Sequence, residues 1–224
     1  MKRKTADLLA LLWFSSRLNL GLQAYVLLAI AVGIFAYCAF GQRASELPDL
    51  FRLVLGIETV LFVMLSMGLL PREKEARTLE LLLVCARSRH QILFQKFLPV
   101  CLFVALVALI LTSGFYLLRG GFSWVKMAWV PYLLAATIGI LTVVITTYLR
   151  NQYAAGVVAL LAAVVVTTLW LDPLRFFYGF EAGPAFRGSS PPNLLYNRIL
   201  LAIAFGLLYD HAVRRLKRVE LWMK

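Results

Sequence analysis

Apolar runs too long and too continuous for a soluble core dominate this chain. They cover Leu22–Phe40, Leu53–Leu70, Phe97–Leu118, Met127–Leu149, Tyr153–Leu171 and Ile199–Val213. A helix needs about 20 apolar residues to cross roughly 30 Å of hydrocarbon at 1.5 Å per residue. Each run meets or approaches that length. Their continuity excludes a transmembrane β-barrel, whose strands alternate apolar and polar residues. The reading is an all-α integral membrane protein with six transmembrane helices, at about 22–40, 53–70, 97–118, 127–149, 153–171 and 198–213. Composition agrees: 62% of the 224 residues are hydrophobic and 15% charged, against about 25% charged in soluble domains. One transmembrane domain over residues 1–224 leaves no room for a sizeable soluble domain.

The breaks between runs carry the charge. With the N-terminus inside, the inner segments hold Lys2, Arg3, Lys4, Arg17, Arg72, Lys74, Arg77, Arg87, Arg89, Lys96, Arg150, Arg214, Arg215, Lys217, Arg218 and Lys224. The outer ones hold Arg43, Arg52, Arg119, Lys126, Arg175, Arg187 and Arg198. Cationic loops stay in the cytoplasm, so both termini are expected inside. A seventh span would put one basic end outside. The expected location is the inner (cytoplasmic) membrane, multi-pass, in contact with membrane lipid. The net charge of +12 is spread through these breaks and not gathered on a polar domain, which argues against nucleic acid as a partner.

Three further segments have their own character. Residues 4–18 place Leu8, Leu11, Leu12 and Leu18 at helical spacing, with Trp13 suited to headgroup depth. They read as an amphipathic helix in the inner interface, bending near Asn19–Gly21. The basic start followed by Leu8–Phe14 faintly resembles a signal peptide, but it lacks a clean cleavage site and is expected to be retained. Residues 172–197 form the long outer loop. Its Phe176, Phe177 and Tyr178 suit an interfacial belt or a short re-entrant helix.

Chemistry-bearing residues are sparse. Cys38, Cys85 and Cys101 form no CxxC pattern, and His90 and His211 lack ligand spacing, so no disulfide framework, metal site or cofactor is expected in the chain. An intramembrane serine protease would need a serine at a Gly-flanked helix start and a partner histidine. Ser113-Gly114 falls near an outer helix end and His211 near an inner one. A metal-dependent lipid transferase would need clustered aspartates, whereas Asp172 and Asp210 fall at opposite faces. Glu58 is the one acidic residue inside an otherwise apolar run. It reads as a substrate-path or dimer-interface carboxylate, or more plainly as a neutral or hydrogen-bonded Glu near the outer interface. Asp210 and Arg214, four apart, are expected to pair. Thr142, Thr146 and Thr147 are expected to bond their own helix carbonyls. The Gly and Ala content of spans four and five suits close helix packing.

The most informative segment is Pro71–Lys96. It is too polar at its start to span, yet Leu79–Ala86 is apolar and needs a surface to cover it. Ser88 and Gln91 make a capping box that starts a second helix running into span three. Arg87 and Arg89 hold the segment inside. Glu73-x-Glu75-x-x-Thr78-Leu79-Glu80-Leu81-Leu82-Leu83, followed by Ser88-Arg89, Ile92-Leu93 and Lys96, resembles the signature of type-2 ABC transporter permeases. That signature is usually Glu-x-Glu-x-Gly-Thr-Leu-Glu-Leu-Leu, then a Pro and a Ser-Arg pair. Arg77 stands here in place of the Gly and Ala86 in place of the Pro.

The resemblance implies a permease subunit working with a second permease copy or paralogue on two ATP-binding cassette subunits. Residues 72–90 would carry the cytoplasmic coupling helix between spans two and three. Leu79, Leu82 and Leu83 would be its buried anchors. Glu73, Glu75, Arg77, Thr78, Glu80, Arg87 and Arg89 would complete the ATPase contact. The chain has no Gly-x-x-x-x-Gly-Lys-Ser/Thr loop, so it is not expected to be an enzyme itself, and ATP and Mg belong to the partner. The lack of a large external domain favours an exporter of an amphipathic, lipidic or peptide-like cargo. A non-transporting membrane subunit or a channel-like protein is the alternative, ahead of an intramembrane enzyme.

Overall fold

A computed structural model describes residues 26, 28–33, 36, 47–70, 89–119, 124–149, 151–168 and 192–219. The interfacial helix expected at 4–18, most of the first span, the segment 71–88 and the outer loop through 191 lie outside them. Among the described residues the regular structure is all helical. Besides the stretch 28–33 there are five helices: α1 (Leu47–Ser66), α2 (Arg89–Arg119), α3 (Trp124–Tyr148), α4 (Gln152–Thr168) and α5 (Pro192–Val219).

The boundaries follow local chemistry. α1 begins six residues before the apolar run, because Pro48 in a first turn forfeits only a donor the helix could not use. It ends at Ser66, where the Leu69 amide donates to the Ser66 carbonyl at 3.2 Å and tightens the exit ahead of Pro71. α2 is described from Arg89 and runs 31 residues to Arg119, with Pro99 inside it. Asn151 caps α4: its Oδ1 accepts from the amides of Tyr153 at 2.9 Å and Ala154 at 3.3 Å. α5 starts at Pro192, so residues 192–197 extend the last helix and not the outer loop. Proline fits a first helical position, since its fixed φ is already helical.

α3 is the central helix. It packs against α1, α5, α2 and α4, while α1 also touches α2 and α4, and α2 touches α5. Small residues let it do so. A Cβ built on Gly139 would stand 2.8 Å from Cδ1 of Phe62, so α1 lays that ring directly on the α3 backbone. Gly156 of α4 takes the sulfur of Met67 in the same way, at 2.7 Å. Ala135, Ala136, Ala155, Ala159 and Ala163 are buried around these seams. This is the close approach that small residues permit where helices meet. The threonines behave as expected. Thr142 donates to Ile138 O, Thr146 to Val143 O and Thr147 to Val144 O, all at 2.7–2.8 Å.

Two long-range contacts fix the helix directions. Tyr209 of α5 donates to the His90 carbonyl at the start of α2, 2.8 Å away. Tyr148, the last residue of α3, bonds His211 of α5 at 2.8 Å. The start of α2, the end of α3, the start of α4 and the late part of α5 therefore share one end, called here the Tyr148 end. Met67 on Gly156 brings the exit of α1 to it as well. α1, α3 and α5 run toward that end, and α2 and α4 run away from it.

Arg89–Leu117 and Pro131–Tyr148 are long and apolar enough to cross a membrane. Leu53–Ser66 and Gln152–Val165 are shorter apolar helical segments. The outside of the bundle carries apolar rows one helical turn apart: Leu102, Leu106 and Ile110 on α2; Tyr153, Val157 and Leu161 on α4; Ile199, Ile203 and Leu207 on α5.

Candidate functional site

Nine of the ten residues expected to contact an ATPase lie outside the described residues: Glu73, Glu75, Arg77, Thr78, Leu79, Glu80, Leu82, Leu83 and Arg87. The tenth, Arg89, opens α2 at the Tyr148 end. Leu70 and Arg89 border the undescribed segment, and both belong to the elements that meet there. The motif is thus tethered to the Tyr148 end on both sides.

Glu58 stands on the core face of α1. Val54, Leu61, Phe62 and Leu65, three, four or seven residues away, are all buried with it, as one helical face requires. Glu58 itself is 1% exposed, so its side chain is closed off from solvent inside the bundle. Neither carboxyl oxygen has a hydrogen-bond partner among the described residues, and the Thr59 hydroxyl beside it has none either. Tyr132 of α3 is near enough to couple electrostatically to Glu58. Its own hydroxyl is already committed to the Cys101 carbonyl of α2, at 2.8 Å.

A buried polar group without partners costs roughly 1–3 kcal/mol. Glu58→Met, which removes both oxygens at similar length, is therefore expected to raise the thermal midpoint of the purified protein. A melt followed by circular dichroism checks this. An unchanged or lowered midpoint would mean that the carboxyl has a stabilising partner.

Glu58 lies beside a continuous series of rings. Trp129 stacks on Tyr132 at 5.4 Å between centroids. Tyr132 meets Phe62 edge-on at 5.4 Å. Phe62, Phe97 and Phe205 follow at 6.2 and 6.1 Å. Phe205 leads to Tyr209 at 6.4 Å and Tyr209 to His90 at 6.1 Å. The series joins four helices and runs from Trp129, 66% exposed near the start of α3, to His90 at the Tyr148 end.

A second cluster, absent from the sequence reading, occupies the Tyr148 end. The Tyr148 and His211 rings are nearly coplanar, and the Arg215 guanidinium sits 3.8 Å above the Tyr148 ring centroid. Asp210 and Arg214 pair at 2.7 Å as their spacing suggests, but both are well exposed, so the pair adds at most about 1 kcal/mol. The signal for the cluster was present: orienting the spans by charge puts the ends of the fourth and sixth at one face.

Other candidate chemistry is not assembled. Ser113 donates to the Ile110 carbonyl of its own helix at 2.9 Å. It lies roughly 36 Å along α2 from the end that holds His211, at 1.5 Å per residue. Among the described residues no three His, Cys, Asp or Glu side chains are grouped to hold a metal ion. The chain matches no protein-family model, and no curated protein matches it.

Proposed function

We propose that this chain is the membrane-spanning permease subunit of an ATP-driven ABC transporter of the type-2 kind. In this reading it crosses the inner membrane six times, with both termini in the cytoplasm. It pairs with a second permease copy or paralogue and is powered by separate ATP-binding cassette subunits that carry ATP and Mg. It exports an amphipathic, lipidic or peptide-like cargo.

The observation that carries the reading is the Glu73–Leu83 and Ser88-Arg89 pattern in its place, leaving α1 and re-entering at the first turn of α2. The Tyr148 end corresponds to the cytoplasmic face. It receives Arg89, Arg214 and Arg215, in keeping with the positive-inside rule. Single-turn rows of exposed apolar side chains on α2, α4 and α5 suit a lipid-facing surface, because soluble monomers rarely expose such extended apolar area. The 31-residue α2 links the proposed coupling segment to the far side of the bundle. Elements of this kind convert ATP-driven closure of a partner into movement of the spans. Burial of Glu58 inside the chain's own bundle favours the path role over the dimer-interface role.

Orientation is directly testable. In a cysteine-free background, a cysteine at Gln152 is expected to react with a membrane-impermeant maleimide only in inverted vesicles. One at Arg119 is expected to react only in right-side-out cells. The reverse pattern, or equal labelling from both sides, would reject the proposed topology. The transporter reading itself is tested by co-purification with a cognate ATPase, taken up in the Discussion.

A further inference from the structure

Glu58 deepens the path reading and rests on it. A side chain kept only for packing would not place two unpartnered carboxyl oxygens at the centre of the α1–α3 seam. Tyr132 on α3 is the ionisable neighbour that couples to it, and the Tyr132 hydroxyl is taken by the Cys101 backbone. α4 has no charged residue, and α5 carries its charges toward its two ends, at Arg198 and from Asp210 to Arg218. No Lys, Arg or His among the described residues hydrogen-bonds to the carboxyl. Aromatic rings begin one turn away from it. Phe62 lies one turn along the same helix, Tyr132 stands opposite, and Trp129 stacks on Tyr132 and reaches the exterior. Ring faces attract cations and repel anions, most strongly where water is excluded. An unpaired carboxylate inside a membrane protein marks a site for a cation or a proton.

We infer that Glu58, with Phe62, Tyr132 and Trp129, forms a site for a lipophilic monovalent organic cation, which binds by displacing the proton from the Glu58 carboxyl. The closed bundle described here holds the neutral acid, since an ionised group cannot remain unpaired at this depth. On binding, the carboxyl O–H bond breaks, the proton leaves to solvent, and the carboxylate pairs with the incoming cation, so the charge of the site is unchanged. The exposed Trp129 end of the ring series is the way in. The cargo class narrows from amphipathic molecules in general to those carrying one delocalised or shielded positive charge.

The test uses the full-length chain in lipid nanodiscs without any ATPase, with tetraphenylphosphonium as probe. Equilibrium dialysis is expected to show saturable binding, and a pH-indicator dye in weak buffer about one proton released per probe bound near pH 7. Glu58→Gln is expected to weaken binding by roughly tenfold or more and to abolish proton release. Glu58→Asp is expected to keep the release with weaker binding. The neutral triphenylphosphine oxide is expected not to compete. Absence of saturable binding, binding without proton release, equal competition by the neutral compound, or wild-type affinity in Glu58→Gln would each overturn the assignment. If Glu58→Gln does not fold, the wild-type proton count decides alone. Because no ATPase is present, these failures leave the permease reading standing, and failure to assemble with an ATPase leaves the cation site standing.

Discussion

Replacing Leu79 and Leu83 together by Asp abolishes co-purification with the cognate ATP-binding subunit, while the chain still inserts in the membrane at wild-type level. The two residues are four apart and Leu82 lies one before the second, so in the proposed coupling helix all three would share one face. That face is too short to span a bilayer and too apolar to stay bare in water. In the proposed complex it fills a groove on the ATPase. Burying a leucine contributes about 1.5–3 kcal/mol. Forcing a carboxylate into the same pocket adds a desolvation cost of several kcal/mol. Two such changes therefore weaken binding by well over a thousandfold, at about 1.4 kcal/mol per factor of ten. Charges on the rim act differently. Alanine at Arg77 or Glu80 is expected to change affinity modestly and in a salt-dependent way, because exposed pairs steer association more than they hold it. The measurement is affinity capture of the tagged chain, with ATPase stimulation as the second readout. Survival of the complex in the double-Asp variant would reject the coupling-helix assignment. Loss of insertion would place the three leucines against the chain's own spans.

Local rules carried the sequence reading far, and contacts between distant residues limited it. The Asp210–Arg214 pair and the back-bonding of Thr142, Thr146 and Thr147 each depend on residues within one helical turn, so spacing alone reveals them. The start of α5 was misplaced because Pro191-Pro192 reads as a loop signal, whereas proline also suits the first position of a helix. Glu58 was recognised as anomalous, but its depth was not. Hydropathy gives position along a span and says nothing of which face meets the core. The ring series from Trp129 to His90 uses four helices, and no periodicity within one helix encodes it. Gly139 and Gly156 were legible only as composition. Their partners, Phe62 and Met67, follow from the direction and register of α1 against α3 and α4. Charge could orient the spans, but helix-to-helix register is set by packing.

The α1–α3 seam gives the second large effect. Gly139→Leu is expected to destabilise the purified protein by about 3 kcal/mol or more, an overpacking cost at the upper end of the usual range. The cause is geometric. A Cβ at this position would lie 2.8 Å from Cδ1, 3.1 Å from Cβ and 3.2 Å from Cγ of Phe62. Phe62 is fully buried and cannot swing away, being held between Tyr132 and Phe97. Even Gly139→Ala sets a gain in helix propensity of about 1 kcal/mol against a clash that only a shift of the whole α1 helix relieves. Gly206 is the control: nothing lies within 4 Å of its added Cβ, so Gly206→Ala is expected to be neutral or slightly stabilising. Phe62→Ala alone is expected to cost about 3–5 kcal/mol through the cavity it leaves. Combined with Gly139→Leu it should cost clearly less than the two single effects added, since the leucine occupies the space the ring vacates and residues in contact couple by about 0.5–3 kcal/mol. Thermal melts of the four proteins in one detergent decide the matter. Wild-type stability in Gly139→Leu, or strict additivity in the double variant, would mean that Phe62 does not rest on Gly139. Glu58 lies one turn from Phe62 on the same face, so a seam forced apart at Gly139 also moves the carboxyl away from Tyr132. Stability and the proposed cation recognition would therefore depend on the same close approach of α1 to α3.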